Sequence, residues 1–338
     1  MEGKRVVFFE VEEWEQDFFR DKLGGKAELV FYPHRLTPDT IDEAERADYV
    51  VSFIYSDLSH RTLDHIRNLK GIVTMSVGTD HIDLEEAERR KINVSNVPAY
   101  GPNTVAQHAM ALLLALSRKI VPSVERTRAG VYEYTGLSGW DLKGKTFGII
   151  GTGKIGATVA KMASGFDMRL IAYDPHPNQE LTEKYGVEYM GLQQVLHIAN
   201  IITLHVPLMD ETKHLLGPEE FKQMKKGMVI INTARGGLID QAAILTALED
   251  GTVSQAGIDV LDDEGLLKEE KQFFSKYFKL EDYQTAMTEH ALMRHPNVLL
   301  TPHNAFNSKE SLRNIMQTTV NNIEGMLDGD CVNLVETK

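Results

Sequence analysis

Three side chains in the second half of the chain could together carry out hydride chemistry. Each follows an apolar run that is predicted to be a buried strand: Arg235, Glu264 and His303. An arginine can bind a carboxylate with two hydrogen bonds and polarise the carbonyl beside it. A histidine can donate a proton to the carbonyl oxygen as hydride reaches the carbon. A glutamate can hold the imidazole and keep it protonated near neutral pH. Ligands of open α/β sheets bind beyond the carboxyl ends of the strands, so the three residues predict reduction of a 2-keto acid.

Ordinary structural roles are the alternative for each of these residues. Arg235 could form a surface salt bridge, and Asp262 or Asp263 could take the place of Glu264. His303 is one of 12 histidines, and its position directly after an apolar run favours it over the others. His205 also ends an apolar run, and we expect it to line a cofactor cleft without reacting.

The other histidines have no catalytic assignment. Three of them are interpreted as structural: His81, His108 and His214. His290 and His295 lack the usual metal-binding spacing to nearby acidic residues. We therefore predict no metal site.

A glycine-rich turn predicts the cofactor. Its glycines are Gly151, Gly153 and Gly156, and they follow an apolar run and precede a helix-like run. This is the setting in which the spacing binds a dinucleotide, with the pyrophosphate at the helix N-terminus. Asp174 follows the next apolar run and would accept hydrogen bonds from ribose hydroxyls. The same carboxylate would repel a 2′-phosphate, so NAD is predicted over NADP; an ordinary turn with a surface Asp is the alternative.

Length and charge narrow the class of protein. The chain has 338 residues, enough for two domains, and a net charge of −13, which disfavours binding to nucleic acid. Its one cysteine permits no intrachain disulfide, as expected in a reducing compartment. The longest apolar stretch is too short to span a membrane. We therefore expect a cytoplasmic protein with no membrane or nucleic-acid partner.

Alternation of short apolar strands with helical stretches predicts an α/β protein with parallel sheets. A long, buried helix is predicted from Pro102 or Asn103, and a polar linker from Gly130 to Gly139 precedes the cofactor-binding unit. The charged segment from Gly265 to Pro296 is too long for a plain loop, and we expect it to be mostly helical.

Motifs spread along nearly the whole chain resemble those of the D-isomer-specific 2-hydroxyacid dehydrogenase family. The matching segments are Ser76–Asp83, Asn96–Ala106, Leu204–Thr212 and Asn232–Gly236. The resemblance implies two doubly wound domains, a Rossmann NAD domain of residues 101–304 and a flavodoxin-like substrate domain of residues 1–100 and 305–338. It also implies a homodimer formed through the cofactor domains.

The resemblance also implies roles for single residues. Arg235 would bind the substrate, Glu264 would hold the histidine and His303 would be the acid/base. Cofactor contacts are implied in the glycine-rich turn and at later strand ends: Gly151, Gly153, Lys154, Ile155, Gly156, Asp174, Val206, Pro207, Thr212, Thr233, Ala234 and Asp259. The substrate would meet Val77 and Gly78 through backbone groups, and Tyr100 and Phe306 through an apolar pocket.

The substrate is less narrowly defined. Tyr100, Phe306 and the long segment before His303 resemble the lactate-forming members of the family, so pyruvate and D-lactate are the expected pair. A branched-chain or aromatic 2-keto acid, or hydroxypyruvate, is the alternative among enzymes. A non-catalytic, NAD-sensing protein of the corepressor type is the alternative outside them, and the intact Arg, Glu and His set disfavours it.

Overall fold

Two all-parallel β-sheets organise the chain in the computed structural model, which describes residues 3–262 and 280–335. The chain divides into two units, one of residues 1–101 and 307–338 and one of residues 102–306. Helices alternate with strands in both units. This confirms the predicted α/β class with two parallel sheets, and the first unit contains residues from both ends of the chain.

Twelve strands lie in the described residues: β1 (Arg5–Phe8), β2 (Glu28–Phe31), β3 (Tyr49–Ser52), β4 (Gly71–Thr74), β5 (Asn93–Ser95), β6 (Thr146–Ile150), β7 (Arg169–Tyr173), β8 (Glu188–Tyr189), β9 (Ile201–Leu204), β10 (Met228–Asn232), β11 (Val253–Ile258) and β12 (Val298–Leu300). The α-helices of the same residues are α1 (Glu13–Leu23), α2 (His60–His65), α3 (Leu84–Arg89), α4 (Pro102–Ser117), α5 (Ile120–Arg128), α6 (Lys154–Ala163), α7 (Gln179–Tyr185), α8 (Leu192–Ile198), α9 (Pro218–Gln223), α10 (Gln241–Glu249), α11 (Leu280–Arg294) and α12 (Lys309–Asp328).

The first unit has a five-stranded sheet in the order β2-β1-β3-β4-β5, the flavodoxin-like order. Its strands are short and largely apolar, as expected for a parallel sheet that is covered on both faces. The C-terminal helix α12 packs on this sheet. A Cβ atom on Gly71 would lie 2.5 Å from the sulfur of Met326, and the Tyr49 hydroxyl donates a hydrogen bond to the Met326 carbonyl.

The second unit has a seven-stranded sheet in the order β12-β11-β10-β9-β6-β7-β8. Counted from β6, this is the Rossmann order with one further strand, and the order reverses between β6 and β9. Apolar clusters cover both faces. One contains α4 and α6, and the other contains α8 and α10. The helix predicted from Pro102 is confirmed as α4, which packs so closely on β11 that a Cβ atom on Gly257 would lie 3.0 Å from the Leu112 Cβ.

Local sequence explains several of the helix boundaries. Asp83, Asn178, Asp240 and Ser308 each accept a backbone N–H at the start of the helix that follows them. Of the segment predicted to be mostly helical, α11 is a helix and residues 263–279 lie outside the described residues. No helix among the described residues is long and apolar enough to span a membrane.

Candidate active site

The three glycines after β6 meet three different steric demands. Gly151 has a φ of +90°, and a Cβ atom there would lie 2.8 Å from the His205 carbonyl oxygen. A Cβ atom on Gly156 would lie 2.0 Å from the Gly151 carbonyl oxygen, so α6 packs directly on the turn. At Gly153, an added Cβ atom would have no heavy atom of the described residues within 4 Å apart from those of Gly153 and its two chain neighbours. The turn therefore leaves room at the N-terminus of α6, where backbone N–H groups favour an anion. Lys154 and Ile155 begin that helix.

Asp174 directly follows β7 and is held by the same turn. Its Oδ2 atom accepts hydrogen bonds from the Thr152 N–H at 2.6 Å and the Thr152 hydroxyl at 3.0 Å, and its Oδ1 atom accepts one from the His176 N–H at 2.8 Å. Partial burial alone would raise the pKa of Asp174, but these hydrogen bonds outweigh it and hold the pKa below its ordinary value. The carboxylate is thus ionised and fixed in direction.

The Tyr189 hydroxyl forms hydrogen bonds that hold Thr152 in this arrangement. Tyr189 donates a hydrogen bond to the Thr152 hydroxyl at 3.0 Å and accepts one from the Asn178 N–H at 3.0 Å. Because the Thr152 oxygen accepts a hydrogen bond from Tyr189, the Thr152 hydroxyl directs its own hydrogen to Asp174. This chain of donors fixes the position of the group predicted to choose between NAD and NADP.

Two loops after the central strands contain further predicted cofactor contacts. The Val206 side chain lies beside the Gly151 turn, 2.7 Å from the position of an added Cβ. The Thr212 hydroxyl donates to the Pro207 carbonyl at 2.7 Å and closes the loop that follows β9. Thr233 follows β10, and its buried hydroxyl has no hydrogen-bond partner among the described residues. A buried hydroxyl of this kind fits a polar ligand group at this edge.

His205 is unsuited to acid/base work. It directly follows β9, and burial lowers the pKa of its imidazole to about 3. Its Nε2 atom lies 2.9 Å from the Thr203 hydroxyl. The ring is therefore neutral near physiological pH and carries no imidazolium proton to give to a substrate.

Arg235 lies in a tightly packed loop at the carboxyl end of β10. Asn232 holds both sides of this loop, because its side chain accepts the Ala234 N–H at 3.0 Å and donates to the Arg235 carbonyl at 2.8 Å. A Cβ atom on Gly236 would lie 2.1 Å from the Leu261 carbonyl carbon, so this loop contacts the one that follows β11. The Arg235 Nη1 atom also donates to the Ala234 carbonyl at 2.8 Å. The packing of the loop backbone therefore fixes the position from which the Arg235 side chain extends.

Asp259 holds the loop that contains His303. This residue directly follows β11 and its exposed fraction is 1%. Its Oδ1 atom accepts the Asn304 N–H at 2.8 Å, its Oδ2 atom accepts the Ala305 N–H at 2.8 Å, and its carbonyl accepts the His303 N–H at 2.8 Å. We call this set of bonds the Asp259 clamp. Burial raises the pKa of Asp259, but hydrogen bonds outweigh that effect and leave the pKa below its ordinary value.

The clamp imposes an unusual backbone on His303. Its φ is +49°, in the left-handed region that non-glycine residues seldom adopt. Such a conformation persists only where the surroundings enforce it, and it is enriched at functional sites. The imidazole is half-buried and meets the Phe306 ring edge-on, with 6.4 Å between the ring centroids. Phe306, predicted to line the substrate pocket, therefore also limits the rotation of this imidazole.

The predicted substrate residues of the first unit follow β4 and β5. The Ser76 hydroxyl donates to the Gly78 carbonyl at 2.7 Å, and the Asn96 side chain donates to the Val77 carbonyl at 2.7 Å. Both carbonyls of the Val77–Gly78 pair are thereby engaged within the unit. The Tyr100 carbonyl accepts a hydrogen bond from Asn314 at 3.1 Å.

One edge of the second unit thus carries most of the predicted site. The turn after β6, Asp174, and the loops with Thr233, Arg235 and His303 all follow carboxyl ends of strands in one sheet. Glu264 lies outside the described residues. The described residues contain no group of three or more metal-ligating side chains.

The sequence interpretation gave His108 only a structural role, yet it contacts this network. Its Nε2 atom lies 3.0 Å from the Thr301 hydroxyl and 3.4 Å from Oδ1 of Asp259. A polar residue one helical turn from Val105, beside the apolar stripe of α4, is the pattern that could have indicated it.

Comparison with known proteins gives a consistent result. Residues 110–305 match the NAD-binding domain of the D-isomer-specific 2-hydroxyacid dehydrogenases. D-lactate dehydrogenase of Escherichia coli is 37% identical over 90% of both chains. The aromatic 2-oxoacid reductase of Clostridium sporogenes is 35% identical over 93% of both. A crystal structure of D-lactate dehydrogenase from Aquifex aeolicus with NAD and lactic acid superposes with a TM-score of 0.87, at 32% identity over 96% of each chain.

Proposed function

Because the chain belongs to the D-isomer-specific 2-hydroxyacid dehydrogenases, NAD-dependent oxidoreductases that act on the CH–OH group of 2-hydroxy acids, we propose that it is a D-lactate dehydrogenase that reduces pyruvate. The observation that carries this proposal is the clamped, left-handed His303 at the sheet edge that also holds Arg235 and the glycine-rich turn. Similarity to D-lactate dehydrogenases over nearly the whole chain supports the choice of substrate.

The proposed reaction gives separate tasks to Arg235, His303 and Glu264. Bound NADH supplies the hydride that reaches C2 of pyruvate. Arg235 binds the substrate carboxylate and polarises the carbonyl. His303 gives its proton to the carbonyl oxygen, which becomes the hydroxyl of lactate. Glu264 keeps the imidazole charged before this transfer.

The residues of the second unit suit a dinucleotide. The space beside Gly153, at the N-terminus of α6, is where we propose that the pyrophosphate binds. Asp174 would accept the ribose hydroxyls, and the buried hydroxyl of Thr233 would gain a partner from the nicotinamide half. The resemblance also implies cofactor contacts in the loop that follows β9, at Val206, Pro207 and Thr212.

Substrate choice is the first test. We expect the purified protein to oxidise NADH with pyruvate at a higher kcat/KM than with 4-methyl-2-oxopentanoate, phenylpyruvate or hydroxypyruvate, and chiral analysis to return D-lactate. A higher kcat/KM with phenylpyruvate would replace pyruvate by an aromatic substrate, the alternative that the similarity to aromatic 2-oxoacid reductase favours. NADH binding without turnover of any keto acid would reject the enzyme and support the NAD-sensing alternative.

The role of Arg235 is the second test. Arg235→Gln should lower kcat/KM with pyruvate by about a hundredfold or more, because the guanidinium stabilises charge that develops on the oxygen. Arg169→Gln is the matched control, since Arg169 is an exposed arginine paired with Glu188. A loss of less than about threefold in Arg235→Gln would remove this residue from the proposed site.

We further propose a homodimer that uses the surface of α5 and residues 131–134. None of the nine residues of α5 is buried, and Ile120, Val121 and Val124 are exposed on it. Tyr132 and Tyr134 are 95% and 86% exposed. Exposed aromatic and aliphatic side chains in one stretch of chain favour a protein interface. Light scattering should give twice the mass of one chain, and Tyr132→Glu with Tyr134→Glu should give the monomer mass; a monomeric wild type rejects the dimer.

A cytoplasmic location completes the proposal. The chain has a single cysteine, Cys331, which forms no disulfide, as expected of a protein in a reducing compartment. Fractionation of the source cells should recover the protein with cytoplasmic markers, and recovery in a membrane or secreted fraction would reject this location.

A further inference from the structure

His108 on α4 contacts the Asp259 clamp and has no task in the proposed reaction. Its Nε2 atom lies 3.0 Å from the Thr301 Oγ1 atom and 3.4 Å from Oδ1 of Asp259. Thr301 follows β12 and is two residues before His303. A single side chain of α4 therefore reaches the residues that hold the proposed proton donor.

The positions of the protons follow from the donor and acceptor inventory. Ionised Asp259 can only accept hydrogen bonds, so the Thr301 hydroxyl must direct its one proton to Oδ1 of Asp259, which it contacts closely. The Thr301 oxygen can then only accept from His108. Nε2 of His108 therefore carries a proton, and it is the outermost donor of a directed chain that runs through Thr301 to Asp259.

This chain bears on the geometry of His303. The Oδ1 atom that receives the Thr301 proton also accepts the Asn304 N–H at 2.8 Å. Without the donor on His108, the Thr301 hydroxyl and the Asp259 carboxylate each lose one contact that holds their direction. The backbone of His303 then loses part of what enforces its φ of +49°. A shift of even 1 Å in a proton donor can lower a rate by a factor on the order of a hundred.

We propose that His108 is a positioning residue that, through Thr301 and the Asp259 clamp, fixes the imidazole of His303 for proton transfer. The proposal rests on the proposed function for its kinetic consequence, but the clamp itself can be measured without substrate. Packing is the competing explanation, in which His108 only fills space between α4 and the loop. The two explanations differ in whether another side chain with an N–H in the same place can substitute for His108.

The variants are chosen to separate a donor from a space-filling side chain. His108→Gln places an amide N–H near the position of Nε2, whereas His108→Leu removes the donor. Gln107→Leu is the matched control, because Gln107 is an exposed neighbour on the same helix. The measurements are hydrogen–deuterium exchange of a peptide that covers residues 301–306, and steady-state kinetics with NADH and pyruvate.

We expect His108→Leu to exchange faster in that peptide and to lower kcat by about tenfold, with the KM for NADH changed by less than about twofold. His108→Gln should recover the slow exchange and most of kcat, and Gln107→Leu should match wild type. Equal loss in the Leu and Gln variants, or a Leu variant that exchanges like wild type, overturns the proposal. If wild type turned over no keto acid, the proposed function would fail, while the exchange measurement would still decide whether His108 holds the clamp. If His108→Leu did not fold, exchange and kcat of His108→Gln close to wild type would support the donor role, and loss of either would reject it.

Discussion

Asp259→Asn tests how much the clamp contributes to the stability of the second unit. Asparagine has the same shape but no charge, and one of its two polar atoms is a donor. Oδ1 of Asp259 receives the Asn304 N–H at 2.8 Å and also the Thr301 and His108 groups, whereas Oδ2 receives, among the described residues, the Ala305 N–H at 2.8 Å. The amide will therefore place its oxygen at Oδ1 and its NH2 against the Ala305 N–H.

The magnitude follows from counting these bonds. The Ala305 bond is lost and leaves two buried N–H groups facing each other, which costs about 1–3 kcal/mol. The three bonds at Oδ1 lose their charge assistance, roughly half of their strength, or about 1 kcal/mol each. Removal of a buried charge returns part of this, but the lowered pKa of Asp259 shows that the hydrogen bonds outweigh burial. We expect a net destabilisation of about 2–4 kcal/mol.

Tryptophan fluorescence can assign this loss to the correct unit. The chain has two tryptophans, and Trp14 lies in the first unit while Trp140 lies in the second, where its indole N–H donates to Gln255 of β11 at 2.8 Å. In a Trp14→Phe background, urea unfolding followed by fluorescence therefore reports on the second unit. Asp167→Asn is the matched control, because that carboxylate is 70% exposed and pairs with Lys143 on the surface. We expect it to change the free energy of unfolding by less than about 0.5 kcal/mol.

The pH dependence adds a second condition. A carboxylate with a lowered folded-state pKa contributes its stability above its unfolded pKa and loses it as the pH falls through the folded value. Asp259 has an ordinary pKa of 3.8 and a lower one in the fold. The difference between wild type and Asp259→Asn should thus stay constant from about pH 8 to about pH 5. A difference below about 1 kcal/mol, or one that declines within this range, would refute the assignment of the clamp.

Outcomes are expected for four further variants. Gly153→Ala should keep the Tm of wild type and weaken NADH binding by about tenfold or more, since its Cβ enters open space at the helix N-terminus. Gly156→Ala should fail to fold stably, since its Cβ would lie 2.0 Å from the Gly151 carbonyl oxygen, and calorimetry on both variants checks the contrast. Asp174→Ala should raise kcat/KM with NADPH relative to NADH by about tenfold or more, because the 2′-phosphate no longer meets a carboxylate. Glu183→Ala, an exposed acid on α7, is its control, and equal ratios in the two variants would contradict the role. On the role proposed for Glu264, Glu264→Gln should move the alkaline limb of the kcat/KM profile for pyruvate reduction to lower pH, because the carboxylate proposed to keep the imidazole charged is removed, and an unmoved limb would reject this role.

Local pattern was sufficient for the fold and for the glycine-rich turn. Strands of parallel sheets are short apolar runs, and helices such as α4 carry apolar residues at helical spacing, so both kinds of element can be predicted from neighbours in the chain. The positive φ of Gly151 and the close contact between Gly156 and the Gly151 carbonyl oxygen both arise within a turn of six residues. Predictions of this kind succeed because the interacting groups are close in sequence.

The clamp could not be predicted in the same way. Asp259 and Ala305 are 46 residues apart, and His108 and Thr301 are 193 residues apart. No periodic pattern connects such pairs, since their contact depends on the order of β11 and β12 and on how α4 packs over β11. The resemblance assigned Asp259 to cofactor binding, and that role remains a prediction beside the bonds that this residue makes within its own unit.

Kinetic data alone would not distinguish substitutions in the clamp from substitutions of residues that act on the substrate. Asp259 donates no proton and the structure surrounds it with its own chain, yet its loss should release both the backbone and the ring direction of His303. A fall in kcat after Asp259→Asn would therefore resemble removal of a catalytic residue. Stability separates the two cases, because Arg235→Gln changes a half-buried side chain on a loop that Asn232 still holds and should leave the urea transition of the second unit in place. Loss of rate together with loss of stability identifies a residue that positions the site, and loss of rate alone identifies one that acts on the substrate.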